Sequence, residues 1–142
     1  MSRKVSKQEL ETVAALRVAM RRFVAATDDV TRAHGLTPRQ YDLLALLHRP
    51  AREVELTASM VADELCLSRS ATTELLTRAS NAGLVARHGD EADMRFKHLV
   101  ATPEGTKRFV AAVGDLRSER NRILSLLQAA AALAGVLSTT TF

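Results

Sequence analysis

Cysteine is nearly absent: Cys66 is the only one, which excludes an intrachain disulfide and any cysteine-rich zinc site. The four histidines, at 34, 48, 88 and 98, fall into no metal-ligand spacing such as His-x-x-x-His. Neither a glycine-rich phosphate loop, nor a nucleophile elbow, nor an acid–base pair occurs, so an enzyme is not expected and no cofactor is implied. No apolar run approaches the roughly 18 residues that cross a bilayer. The opening MSRKVSKQEL lacks the apolar region of a signal peptide. The expectation is a cytoplasmic protein without membrane contact.

What the chain does have is basic charge. Its 142 residues carry 20 Lys and Arg against 16 Asp and Glu, a formal charge of +4. Sixteen of the cations are Arg, the side chain suited to planar contact with phosphate and guanine. Residues 1–22 hold six cations against two acids, and residues 68–108 seven against five. Such an excess favours a polyanionic partner but also fits a solvated cationic surface. The length and the 46% apolar content suit one globular domain.

Hydrophobic spacing then orders the elements. Leu10, Val13, Leu16, Met20, Phe23 and Val24 recur at three and four, which predicts a long helix over 6–34 ended by Gly35. Thr37-Pro38-Arg39-Gln40 is a capping box with proline in the first turn; its helix carries Tyr41, Leu43, Leu44, Leu46 and Leu47. Residues 51–56 read as a connector. Thr57 opens a short helix with Met60, Val61 and Leu65 inward, ending near Cys66-Leu67. Ser68 caps the next, terminated by Gly83. There Ala71, Leu75, Ala79 and Ala82 form the expected inner stripe, and Arg69, Ser70, Thr73, Thr77 and Ser80 a short polar outer face. Residues 84–88 and 95–101 suit two strands around the turn residues 89–93. From Thr102-Pro103 one long helix is expected. Its seam, Phe109, Val113, Leu116, Arg120, Ile123 and Leu127, packs on a near-parallel neighbour.

Two helices joined by a short turn, then a hairpin, is the layout of a winged helix-turn-helix: mainly α, with a small β-hairpin wing. In that layout the first helix braces the second, which enters the major groove amino end first. Groove entry suits short hydroxyl side chains and an arginine, so Ser68, Arg69, Ser70, Thr72, Thr73, Thr77 and Arg78 are candidate DNA contacts. The hairpin adds Arg87, His88, Arg95 and Lys97, and an arginine near its tip suits the narrow minor groove.

The segment 56–87, LTASMVADELCLSRSATTELLTRASNAGLVAR, followed by GDEADMRFKHLVATPEG at 89–105, resembles the MarR family of bacterial transcription regulators. The family's hairpin pattern matches Asp90, Asp93, Arg95, Leu99 and Thr102-Pro103-Glu104-Gly105, and LTPRQYDLLALL at 36–47 matches its second helix. The resemblance implies a sequence-specific regulator, more often a repressor, that binds a pseudo-palindromic operator as a homodimer. Asp93 would orient Arg95 toward the minor groove. Terminal helices at 6–35 and 103–138 would dimerise through Leu10, Val13, Phe109, Val113, Leu116, Ile123 and Leu127, with 36–102 as the DNA-binding region. It also implies a cavity for a small aromatic or lipophilic effector near Arg17, Met20, Phe23, His34, Tyr41 and Leu44. Glu74 departs from the family, in which that position is often basic. The alternative is a winged-helix protein-interaction module that binds no specific DNA. Cys66, between two leucines and without a resolving partner, reads as a small buried core thiol rather than a redox switch.

Overall fold

The computed structural model describes residues 4–49, 55–88 and 98–133. Its elements run α1 (Lys7–Ala33), α2 (Pro38–Leu47), α3 (Ala58–Glu64), α4 (Arg69–Asn81), β1 (Val85–His88), β2 (His98–Ala101), α5 (Pro103–Asp115) and α6 (Arg117–Leu133). No helix among the described residues is long and apolar enough to cross a membrane.

Local chemistry sets most of these boundaries. At the head of α1, the Ser6 amide donates to Glu9 Oε2 (2.6 Å) and the Glu9 amide donates to Ser6 Oγ (3.1 Å). This reciprocal cap holds the Glu9 carboxyl below its ordinary range. Gly35 ends the helix at φ 71°, where the Leu36 amide reaches back to the Thr31 carbonyl. Thr37 and Gln40 then form the expected capping box of α2. Thr57 and Ser68 cap α3 and α4 through the amides of Met60 and Ala71.

The chain divides into two compact units. The second, residues 30–114, holds the core: Leu36, Leu43, Leu44, Leu56, Val61, Leu75, Leu76, Ala79, Leu84, Val85 and Leu99. β1 and β2 pair antiparallel, with Val85 opposite Ala101 and His88 opposite His98. The Leu99 amide donates to the Leu56 carbonyl at 2.9 Å, so the connector is stitched to the wing's second strand.

At the C-terminal side the structure corrects two expectations. The single long helix is interrupted at Leu116, just after Gly114-Asp115; glycine is worth about 1 kcal/mol less than alanine in a helix, so the break falls at a weak point. The other concerns Phe109, expected on a dimerisation seam. It packs inside the second unit, 5.2 Å from the Tyr41 ring and stacked on His48 at 4.7 Å. In the neutral His48 ring, Nδ1 donates to the Leu44 carbonyl (2.8 Å) and Nε2 accepts from the Thr106 hydroxyl (3.2 Å). Arg108 extends the same clasp, donating to Glu104 (2.8 Å) and to the Gly35 carbonyl (3.1 Å). The hydrogen bond from Arg108 holds the Glu104 carboxyl below its ordinary range. Helix α5 therefore belongs with the winged region rather than with the terminal helices.

In the first unit, α1 up to residue 29 and α6 enclose a groove of about 460 Å³. Leu16, Ala19, Phe23, Ile123 and Leu126 line it, with Arg22, Glu119 and Arg122 also in its wall.

Glycines differ sharply in what they permit. A Cβ at Gly105 would lie inside the van der Waals surface of the Leu84 carbonyl oxygen, whereas at Gly114 it would meet open space. Gly105→Ala should therefore cost about 1–3 kcal/mol of unfolding free energy. Gly114→Ala should be neutral or stabilising by up to about 1 kcal/mol. Urea melts with unchanged m values would check both; equal costs would show that the approach of residue 105 to Leu84 is not what constrains it.

Candidate nucleic-acid interface

Helix α4 owes its orientation to its inner stripe. Thr72, Leu75, Leu76 and Ala79 are buried at spacings of three, one and three, turned from the expected stripe of Ala71, Leu75, Ala79 and Ala82. The larger Leu76 draws the helix round, and Ala82 is left exposed. Thr72, expected among the DNA contacts, is only 3% exposed, and its hydroxyl donates to the Ser68 carbonyl at 2.9 Å. That bond satisfies the hydroxyl and lets the methyl group join the core. Thr72 is therefore a packing residue.

The remaining expected residues of α4 do share the outer face: Arg69, Ser70, Thr73, Thr77 and Arg78 are exposed, with Ser68 at the helix start. Ser68 Oγ accepts from the Ala71 amide and lies 3.2 Å from Ser70 Oγ. The Thr73 hydroxyl donates to the Arg69 carbonyl at 3.0 Å, which leaves its lone pairs outward as acceptors. Glu74 sits on the same face, and Arg78 holds it at 2.6 Å with both side chains exposed. The pair cancels the carboxylate's repulsion of phosphate at the expense of one free cation, while adding at most about 1 kcal/mol to stability. Arg87, on β1, is also exposed. Asp93, Arg95 and Lys97 lie outside the described residues.

The turn between α3 and α4 departs from expectation. Cys66 is exposed, not buried, and takes φ 52°. It occupies the left-handed position that closes α3, where the Leu67 amide bonds the Ala62 carbonyl at 2.9 Å and the Cys66 amide the Asp63 carbonyl at 3.3 Å. The side chain is left exposed there, and the flanking Leu65 and Leu67 pack against the core.

The six expected effector-pocket residues are not one cluster within either unit. Arg17, Met20 and Phe23 stand on α1 in the first unit, and of these only Phe23 lines its groove. In the second unit His34 follows α1, Tyr41 packs on Phe109, and Leu44 is a fully buried core residue. The dimerisation set also divides. Leu116 and Ile123 are 1% and 9% exposed already, whereas Leu10 and Val13 are 61% and 59% exposed.

A capped, polar-faced helix braced by a shorter one and followed by an antiparallel hairpin defines a winged helix-turn-helix protein. The MarR family model matches residues 34–95, from the end of α1 through α2, α3, α4 and β1. Over these residues the chain is similar to the MarR family. It is 31% identical over 80 residues to the HTH-type transcriptional regulator PecS of Dickeya dadantii, a match covering 56% of this chain and 48% of that one. The match thus takes in about half the length of its curated relative. Its fold is shared with AbsC, a MarR family transcriptional regulator from Streptomyces coelicolor (TM-score 0.69, 22% identity, 96% and 97% of the two chains). A mutant of S. aureus MepR bound to an oligodeoxyribonucleotide is also similar (TM-score 0.62, 20% identity, 97% and 100%).

A left-handed residue with a Cβ costs on the order of 1 kcal/mol relative to glycine. Cys66→Gly should accordingly raise the unfolding free energy by about 0.5–1 kcal/mol, whereas Cys66→Val should lower it. Thermal melts of the two variants are the check; a stabilised valine variant would contradict the assigned turn geometry.

Proposed function

We propose that the protein is a sequence-specific, DNA-binding transcription regulator that acts as a homodimer on a pseudo-palindromic operator, most simply as a ligand-responsive repressor. The observation that carries this reading is the outer face of α4. Its exposed side chains are mainly short hydroxyls and arginines, with Glu74 as the one acid and no lysine. Ser70, Thr73 and Thr77 can read base edges, Arg69 can take guanine or phosphate, and Arg87 can take phosphate from the wing side. Asp93, Arg95 and Lys97 would extend the contact along the wing.

Homodimerisation is supported by what the first unit leaves uncovered. Leu10, Val13, Val18, Met20 and Val24 on α1, and Leu124, Leu126 and Leu127 on α6, are exposed, and the groove between the helices is mainly apolar. A second copy of the same helices covers that surface and sets the spacing of two α4 helices. Half-sites one turn apart need about 34–36 Å. A small lipophilic or aromatic acid with different affinities for two spacings would then switch binding, a few kcal/mol sufficing for a large shift.

Retention on duplex DNA across a salt series tests the reading. Phosphate contacts make log K fall steeply with log salt, and Arg87→Ala should flatten the slope by about one charge. Thr73→Ala should change base preference more than mixed-sequence affinity. A flat salt response would favour a protein-interaction module instead, to which the Glu74–Arg78 pair is better suited. Val13→Asp with Leu127→Asp should shift the sedimenting species to a monomer and weaken operator binding. A dimer that survives both changes would place the interface elsewhere.

A further inference from the structure

Helix α4 carries one acid on its outer face, and that acid stands near the middle of it. Thr72, Leu75, Leu76 and Ala79 turn inward. At about 100° per residue, Ser70, Glu74, Thr77 and Asn81 fall within about 30° of the direction opposite that buried stripe. Thr73 and Arg78 stand about 70° to either side of it, and Arg69 further round. All four central residues are exposed, and 60% of the Glu74 side chain is open to solvent. Glu74 also lies in the second turn of α4, and a recognition helix meets base edges through its amino-terminal turns. A helix seated in the groove therefore carries this carboxylate onto the base pairs.

Chemistry separates Glu74 from its three neighbours. The Ser70 and Thr77 hydroxyls and the Asn81 amide each donate or accept, whereas a carboxylate only accepts. Hydrogen-bond donors on the major-groove edge are the amino groups of cytosine and adenine. Adenine sets its N7 acceptor beside the amino group, where it repels a carboxylate, while cytosine presents its amino group alone. Arg78 supplies the rest of the device. Its Nη2 holds Glu74 Oε1 at 2.6 Å, and among the described residues this is the one ion pair that either side chain makes. The guanidinium fixes the direction of the carboxylate, offsets its charge beside phosphates and leaves Oε2 to accept from a base.

We propose, resting on the DNA-binding reading above, that Glu74 is a specificity-determining residue that selects a cytosine in the sequence α4 reads, with Arg78 as its positioning residue. A thymine in place of that cytosine sets its O4 acceptor against the carboxylate. A charge desolvated without a donor is costly, and that cost is what discriminates.

Duplexes with a randomised core, selected on the full chain at low salt and sequenced, test this. Wild-type sites should hold a position at which cytosine is strongly preferred. Exchanging that C·G pair for T·A should weaken wild-type binding by about five- to a hundredfold, the ordinary cost of one mismatched pair. In Glu74→Ala the same exchange should change affinity little. Glu74→Gln keeps the shape but adds a donor for thymine O4, so it should narrow the gap as well. Arg78→Ala should also narrow it and Arg78→Lys restore part of it; an unchanged gap in Arg78→Ala overturns the positioning role. Melting temperatures establish that each variant is folded. If Glu74 merely repels phosphate, Glu74→Ala tightens binding equally on every sequence. That result, or a wild-type consensus without a preferred cytosine, overturns the assignment while leaving DNA binding intact. Failure to enrich any sequence overturns the reading of the protein as a sequence-specific regulator.

Discussion

The geometry of the winged region depends on one crossing of backbone, where the end of α4 meets the start of α5. The Leu84 carbonyl accepts from the Thr102 amide at 3.0 Å, and Gly105 lies against the same carbonyl with no room for a side chain. Thr102 closes the knot from the other side: its hydroxyl donates to the Gly83 carbonyl and accepts from the Gly105 amide. Four segments are thereby tied within a few residues, namely the left-handed exit of α4, the start of β1, the end of β2 and the first turn of α5. The Thr-Pro-Glu-Gly run is the chemical expression of that tie. Threonine supplies the double-duty hydroxyl, proline sits where no amide is required, and glycine permits the close approach.

From this anchor follows the direction in which α4 presents its surface. The helix is held at its C-terminal end by the knot and along its length by Thr72, Leu75, Leu76 and Ala79. Little apolar surface is left over, so the outer face is free to be polar and small. Its electrostatics are quieter than the overall charge suggests, because Glu74 claims Arg78. Among the described residues of α4 and β1, Arg69 and Arg87 are the exposed cations that Glu74 does not hold.

Much of this was legible because the signals are local. The capping box at Thr37, the caps at Thr57 and Ser68, and the left-handed glycines at 35 and 83 each act through atoms a few residues away. The features that escaped the sequence reading are those decided at a distance. Periodicity identified α4 as amphipathic but placed its stripe about half a residue step off, because Ala71 and Leu76 compete for the core and only the packed partners choose between them. Phe109 and His48 are separated by 61 positions, and nothing near either predicts that they stack. Cys66 misled for a different reason. Its leucine neighbours suggest burial, yet the reversal between α3 and α4 requires a left-handed residue at that point whatever its side chain.

The reassignment of α5 changes how a signal would have to travel. With Phe109 stacked on His48, Thr106 bonded to the same ring and Arg108 clasping the Gly35 carbonyl, α5 is part of the body that carries the wing and α4. Residues 102–103, where the knot is tightest, join β2 to α5 within one unit rather than between the two. The chain passes between the two units within α1 near residue 30 and at Gly114-Asp115, next to the interruption at Leu116. The knot at Thr102 and the stacking of Phe109 on His48 thus bind the described parts of the wing, α4 and α5 into one unit by contacts of their own.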